Sequence, residues 1–387
     1  MEHCTPQDHI IDTRRQALYE WASDYVIAQK NIQPQQQLTV VSGDASFRRY
    51  FRLHHANGSF IAVDAPPEKE NSRPFVAIAQ ALFAHGVKVP EIIAADFDLG
   101  FMLLSDFGDV LLRPCLTDDS VDGLYRLAMT ELMHLQSCSA PTDYSLPPYD
   151  HAKLMTEMAL FKDWFVAQYL GLTLNADEVA LIDNTCQQIA DAVGQQPVVF
   201  VHRDYHSRNL MVLPDGGMGV IDFQDAVKGA ITYDLVSLLR DAYVEWPTAQ
   251  VQGWVEDFHQ LLQANGQLAD ISSEQFLQWF DWMGAQRHLK VVGIFARLSL
   301  RDGKHGYLHD IPLVFKYLLD EIKAYAVLQP FYQWVVTQIV PVYLQRNPQA
   351  ISTLTPALGN RSCVALPPAS MQSSPSARGS NTDGGDV

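Results

Sequence analysis

Residues 198–225, VVFVHRDYHSRNLMVLPDGGMGVIDFQD, constrain the fold of this chain more than any other stretch. Val198 to Val201 form a β-branched and aromatic run that reads as a buried strand. A loop opens at His202. Leu210 to Leu213 and Met218 to Ile221 are two further apolar runs, separated by Pro214-Asp215-Gly216-Gly217, which is a hairpin turn signal. Asp222 therefore emerges at a strand end, beside the loop that holds Asp204 and Asn209.

That order of groups suits phosphoryl transfer, in which a protein mainly positions a hydroxyl, a nucleotide and magnesium. One carboxylate faces the attacking hydroxyl, while a carboxylate and an amide oxygen hold the metal on the phosphate side. His202-Arg203-Asp204, with Asn209 five residues on, matches H-R-D-x-x-x-x-N, and Asp222-Phe223-Gln224 stands in the place of D-F-G. Asp204 is the candidate base. Asn209 and Asp222 are the candidate Mg2+ ligands. A zinc reading of His202 and His206 fails, because their i,i+4 spacing is not on a helix and lacks the H-E-x-x-H glutamate.

The segment resembles the aminoglycoside phosphotransferase and choline kinase branch of the protein-kinase fold. With VSGDASFRRYFRL at 41–53 and AVDAPPE at 62–68, the chain looks more closely like the anomeric kinases of N-acetylmuramate and N-acetylglucosamine in peptidoglycan recycling, from about residue 15 to 345. The resemblance implies an α+β bilobal fold: a small β-rich N-lobe at 1–104, then a hinge and a larger helical C-lobe at 105–350. It implies ATP as co-substrate with Mg2+. Ser42, Gly43, Asp44, Ala45 and Ser46 form the turn expected over the nucleotide phosphates, with Arg48 beside it, and Leu104 and Asp106 mark the hinge expected against the purine. Arg208, Arg287 and Arg297 are the candidates for the sugar, since an arginine pairs bidentately with a lactyl carboxylate. Asp234 resembles the aspartate that braces the catalytic loop, and is also expected to cap its own helix.

One position departs from the broader pattern. Asp64 ends the third strand where the fold carries the lysine of V-A-I-K. Lys69 or an arginine of the second strand is then expected to meet the phosphates. An aminoglycoside, choline or homoserine kinase remains an alternative, as does a non-catalytic nucleotide-binding scaffold, against which the three intact polar residues argue. A protein acceptor is disfavoured by the lack of an A-P-E segment.

The rest of the chain fits this frame. Apolar spacing predicts helices at 12–29, 72–85, 120–138, 151–170 and 285–301, the last with Leu289, Val292, Phe295, Ala296 and Leu300 inward and Arg287, His288, Lys290, Arg297 and Arg301 as a local positive group. Asn175 with Glu178 reads as a capping box for a helix to about Val193. Two helices are expected over 310–345, and a disordered tail from 355 to 387, where Pro, Ser, Gly and Asn dominate. A formal net charge of -17 excludes a general nucleic-acid or anionic-membrane binder. Five widely spaced cysteines without a C-x-x-C pair fit a reducing compartment. With no apolar stretch of spanning length, the expectation is a cytoplasmic enzyme of small molecules, without a nucleic-acid, membrane or obligate protein partner.

Overall fold

A computed structural model describes residues 12–42 and 47–358 of the chain. The expected turn Gly43 to Ser46 lies outside the described residues, as does the side chain of Ser42. The first helix, α1 (Thr13–Lys30), starts where the Asp12 carboxylate accepts from Arg15 N at 3.1 Å, and ends on Asn31 in the left-handed region. Five antiparallel strands follow in the order β1-β2-β3-β5-β4: β1 (Pro34–Ser42), β2 (Arg49–His55), β3 (Gly58–Asp64), β4 (Ile92–Asp96) and β5 (Phe101–Ser105). Helix α2 (Ser72–Ala84) lies between β3 and β4.

Strand alternation divides the sheet's two faces. Phe51, Leu53, Ala62, Phe101 and Leu103 pack with Leu18, Ala22 and Val26 of α1. Val63, Met102 and Leu104 point the other way, to Phe75, Ile78 and Leu82 of α2 and the core continuous with the rest of the molecule. The predicted helix 12–29 is thus the prop of the first lobe.

The C-terminal part carries α3 (Leu112–Cys115), α4 (Val121–Gln136), α5 (His151–Leu160), α6 (Ala176–Val193), α7 (Tyr233–Leu239), α8 (Thr248–Ala264), α9 (Ser273–Asp302), α10 (Ile311–Ala324), α11 (Gln329–Trp334), α12 (Val340–Arg346) and α13 (Ile351–Leu358). Four short strands sit among them: β6 (Val198–Val201) pairs with β9 (Val227–Ala230), and β7 (Leu210–Val212) pairs with β8 (Met218–Val220). The bilobal α+β architecture read from the sequence is the one observed. The capping box is present too: Asn175 Oδ1 accepts from Glu178 N at 3.0 Å and Glu178 Oε2 from Asn175 N at 2.9 Å.

Several expectations are corrected. Helix 151–170 is not uniform: after Leu160 it widens into a π-helical stretch, Phe161–Tyr169, where Phe165 meets Phe315 and Tyr343. Helix 285–301 is the second half of a 30-residue helix enclosed by its neighbours, so Arg287, His288 and Lys290 of the expected positive group are buried and paired. Close approach is built in at Gly293, where a Cβ would sit 2.4 Å from the Leu160 carbonyl carbon. Leu300, expected inward, is exposed, because α9 is leaving the core there. Asp234 does not cap α7, whose N-cap residue is Thr232. The segment 310–345 holds α10, α11 and most of α12 rather than two helices. Residues 355–358 complete α13 rather than begin the tail, with Leu354 and Ala357 buried.

Candidate active site

His202 is buried and joins the two halves of the site. Its Nδ1 accepts from Asp204 N at 3.2 Å, so Nε2 carries the proton and donates to Ile221 O at 3.0 Å. One ring thus sets the loop bearing Asp204 against the strand end bearing Asp222. Ile221 N donates to Asn209 O at 3.1 Å, which closes the same link from the other side. Arg203 and Asp222 both take positive φ, 79° and 67°, a costly conformation for residues with a Cβ. Asp234 holds the first of these in place: its carboxylate accepts from His202 N at 2.7 Å and Arg203 N at 3.0 Å.

The Asn209 amide nitrogen donates to Asp204 O at 3.0 Å and to Asp222 Oδ2 at 3.2 Å. Its amide oxygen is thereby directed away from those acceptors. The Asp222 carboxylate and the Asn209 amide oxygen are both hard oxygen donors, the kind that Mg2+ takes together with phosphate and water oxygens. The residues present therefore fit the metal.

Asp204, Asn209 and Asp222 line one cavity of about 720 Å³, whose remaining wall includes Arg113, His206, Arg208, Tyr243 and Tyr307. Burial pushes the Asp204 carboxyl up, but the nearby Arg287 and Lys290 cations outweigh it and hold the group below the ordinary carboxylate range. Asp204 is ionised at neutral pH. Beneath it, Arg287 donates to Arg203 O at 3.0 Å and to Tyr233 Oη at 3.1 Å. Lys290 pairs with Glu157 at 2.8 Å, and Glu157 also takes Arg203 at 3.2 Å and the Tyr149 hydroxyl.

The structure thus brings Asp204, Asn209, Asp222 and Arg208 together in the cavity. Arg287 lies under the loop, and Arg297, on α9, is not part of the cavity wall. Arg48 is buried before β2, pairs with Glu70 at 3.2 Å and lies over the Phe75 ring, which packs on Phe223 next to Asp222. Leu104 is buried at the end of β5, and the Asp106 carboxylate accepts from Arg52 Nε at 2.5 Å and Ser59 Oγ at 2.6 Å. Asp64, in the lysine's place, is fully buried between Arg14 at 2.6 Å and Arg49 at 2.5 Å. Arg113, Tyr243 and Tyr307 were not singled out from the sequence, because nothing in their spacing links them to the motif. His206 lay inside the motif and was set aside with the zinc reading.

The sequence matches the profile of the phosphotransferase enzyme family over residues 37–288. The chain belongs to that family. Among members of known name, it is 46% identical over 289 residues to the N-acetylmuramate/N-acetylglucosamine kinase of Pseudomonas putida, covering 75% of this chain and 84% of that protein. It is 41% identical to the enzyme of the same name from Neisseria meningitidis, covering 77% and 90%. The likeness read from the two N-lobe stretches and the catalytic loop is borne out by these relatives. Among solved structures, Plasmodium vivax ethanolamine kinase superposes with a TM-score of 0.54 at 10% identity, covering 81% of this chain and 96% of its own. The choline kinase of Streptococcus pneumoniae gives 0.53 at 10%, covering 80% and 100%. At that identity the two structures share the phosphotransferase fold with this chain.

Burial raises the Asp234 carboxyl to about 6, although the His202 ring and two backbone N–H groups favour its ionised form. The raised value means that the folded state holds this proton more tightly than the unfolded one. Ionising Asp234 therefore costs stability as pH rises from about 4 to about 6, and the folded loop gains its second acceptor as pH passes through about 6. We expect kcat to rise with pH through an apparent pKa near 6. In Asp234→Asn, kcat should be lower and this limb absent. A pH–rate profile checks it, and an unchanged limb in the variant would assign the titration elsewhere.

Proposed function

We propose that this phosphotransferase uses ATP and Mg2+ to phosphorylate the anomeric hydroxyl of N-acetylmuramate and N-acetylglucosamine, giving the sugar 1-phosphate. One observation carries the reading. An ionised Asp204 faces the same cavity as the Asn209–Asp222 pair, in a chain 41–46% identical to kinases named for these two sugars. Asp204 orients the acceptor hydroxyl and takes its proton. The anomeric hydroxyl is the most acidic of the ring, so a base held below the ordinary carboxylate range is sufficient. Asn209 and Asp222 would hold Mg2+, which neutralises charge on the phosphates.

On the nucleotide side, Arg48 braced by Glu70 takes the place of the strand-three lysine and its glutamate. Leu104 borders the purine, and Asp106, its carboxylate committed to Arg52 and Ser59, contributes backbone atoms alone. Among the described residues no helix is long and apolar enough to cross a membrane, and Cys115, Cys138 and Cys186 are free thiols. We place the enzyme in the cytoplasm, where ATP is available.

A cationic acceptor such as an aminoglycoside or choline is disfavoured by Arg113 and Arg208 on the cavity wall. The test is phosphorus NMR of the protein with ATP, Mg2+ and each sugar. A sugar 1-phosphate signal is expected with both. Phosphate on another hydroxyl, or turnover of choline or an aminoglycoside with neither sugar consumed, would overturn the reading.

A further inference from the structure

The two sugars differ at one group: N-acetylmuramate carries a lactyl ether with a carboxylate, and N-acetylglucosamine has a hydroxyl there. The cavity wall shared with the Asn209–Asp222 pair carries two arginines. Arg208 lies on the Tyr243 ring, its Cζ 3.4 Å from the centroid, and Arg113 Cζ stands 5.6 Å from the same centroid. Among the described residues, no carboxylate oxygen comes within 4.0 Å of a nitrogen of either arginine. Asp310 lies in their field, and burial raises its pKa although Arg208 and Arg113 oppose that. Arg14, Arg48, Arg49, Arg52, Arg126, Arg203, Arg240 and Arg301 hold acids, whereas Arg113 and Arg208 hold none and line the cavity that also holds Asp204.

The pair is also held in place. Buried Asp241 accepts from Ser207 N at 3.1 Å, next to Arg208, and from Tyr243 N at 3.1 Å. Arg113 N donates to Ser207 O at 3.0 Å, and its guanidinium reaches Tyr243 O at 3.4 Å. One carboxylate therefore sets both the ring and the loop on which the two cations depend. Stacking on Tyr243 fixes the plane of Arg208 while its N–H edge stays available for a planar anion.

We propose that Arg113 and Arg208, set by Tyr243 and Asp241, form the carboxylate subsite that distinguishes N-acetylmuramate from N-acetylglucosamine. The assignment rests on the amino-sugar kinase reading and deepens it. It moves the expected carboxylate partner from Arg287, which is buried under the catalytic loop, and from Arg297, which is outside the cavity wall, to a pair that faces the acceptor.

The test compares kcat/KM for the two sugars in the full-length protein and in Arg208→Gln and Arg113→Gln. The ratio of N-acetylmuramate to N-acetylglucosamine should fall about ten- to a hundredfold in each variant, mostly through KM, as expected for a lost charge-assisted hydrogen bond. A probe that needs no variant is the methyl ester of N-acetylmuramate. The wild-type protein should lose a similar factor on the ester, and the variants should lose little more. An unchanged ratio with full wild-type use of the ester would overturn the subsite. Equal losses on both sugars with a raised KM for ATP would overturn it too, and place the arginines on the nucleotide phosphates. A wild-type protein that phosphorylates neither sugar removes the reading on which the subsite depends.

Discussion

Asp204→Asn is expected to lower turnover about 10²- to 10⁴-fold, the contribution of a positioned general base, while nucleotide binding stays near the wild-type level. The substitution keeps the side chain's shape and leaves the Asp204 carbonyl free to accept from Asn209. What it removes is the ionised oxygen that faces the acceptor. It also removes the negative charge that Arg287 and Lys290 favour, so a modest loss of stability accompanies the loss of rate. Steady-state kinetics, nucleotide titration and a denaturation curve separate these effects. Residual turnover within tenfold of wild type, or nucleotide affinity falling in step with rate, would contradict the role.

The second large effect is on stability. In Glu157→Ala, Lys290 loses its carboxylate at a site where both side chains are 8% exposed. Removing one partner of a buried pair leaves an uncompensated charge and costs about 3–5 kcal/mol. Urea unfolding should show a loss of this size, and adding Lys290→Met should recover a large part of it. Equal instability of the single and double variants would show that the pair is not the source. The pH dependence has a definite sign. Burial opposes ionisation of Glu157, but Lys290 and the other donors hold its pKa below 4.5, so the stabilisation is complete above about 4.5 and is lost as pH falls further. Turnover should fall in Glu157→Ala as well. Glu157 anchors the Arg203 side chain, and Arg203, at φ 79°, sets the backbone that leads into Asp204.

The helix at 72–85 and the Asn175–Glu178 capping box were legible because each is a local pattern, set by backbone geometry over neighbouring residues. The misreading of α9 has the opposite origin. Arg287, His288 and Lys290 look like a solvated basic face, yet their partners are Arg203 and Tyr233, Glu321, and Glu157, far away in the chain. Helical periodicity identifies a polar residue but not the acid that neutralises it. Asp64 is a similar case: the sequence shows a lysine missing, and only the fold brings Arg14 and Arg49 to the carboxylate that replaces it.

By itself, the sequence determined that His202, Asp204, Asn209 and Asp222 come together, because they lie on one loop and one hairpin whose strand and turn propensities place them side by side. Tertiary structure alone decided which residues complete the cavity around them. Arg113 follows the hinge, Arg208 sits in the catalytic loop, Tyr243 follows α7 and Tyr307 lies beyond α9, and they meet because Asp241 ties two of these segments to the core. Contacts between segments so far apart depend on how helices pack, which no local spacing records.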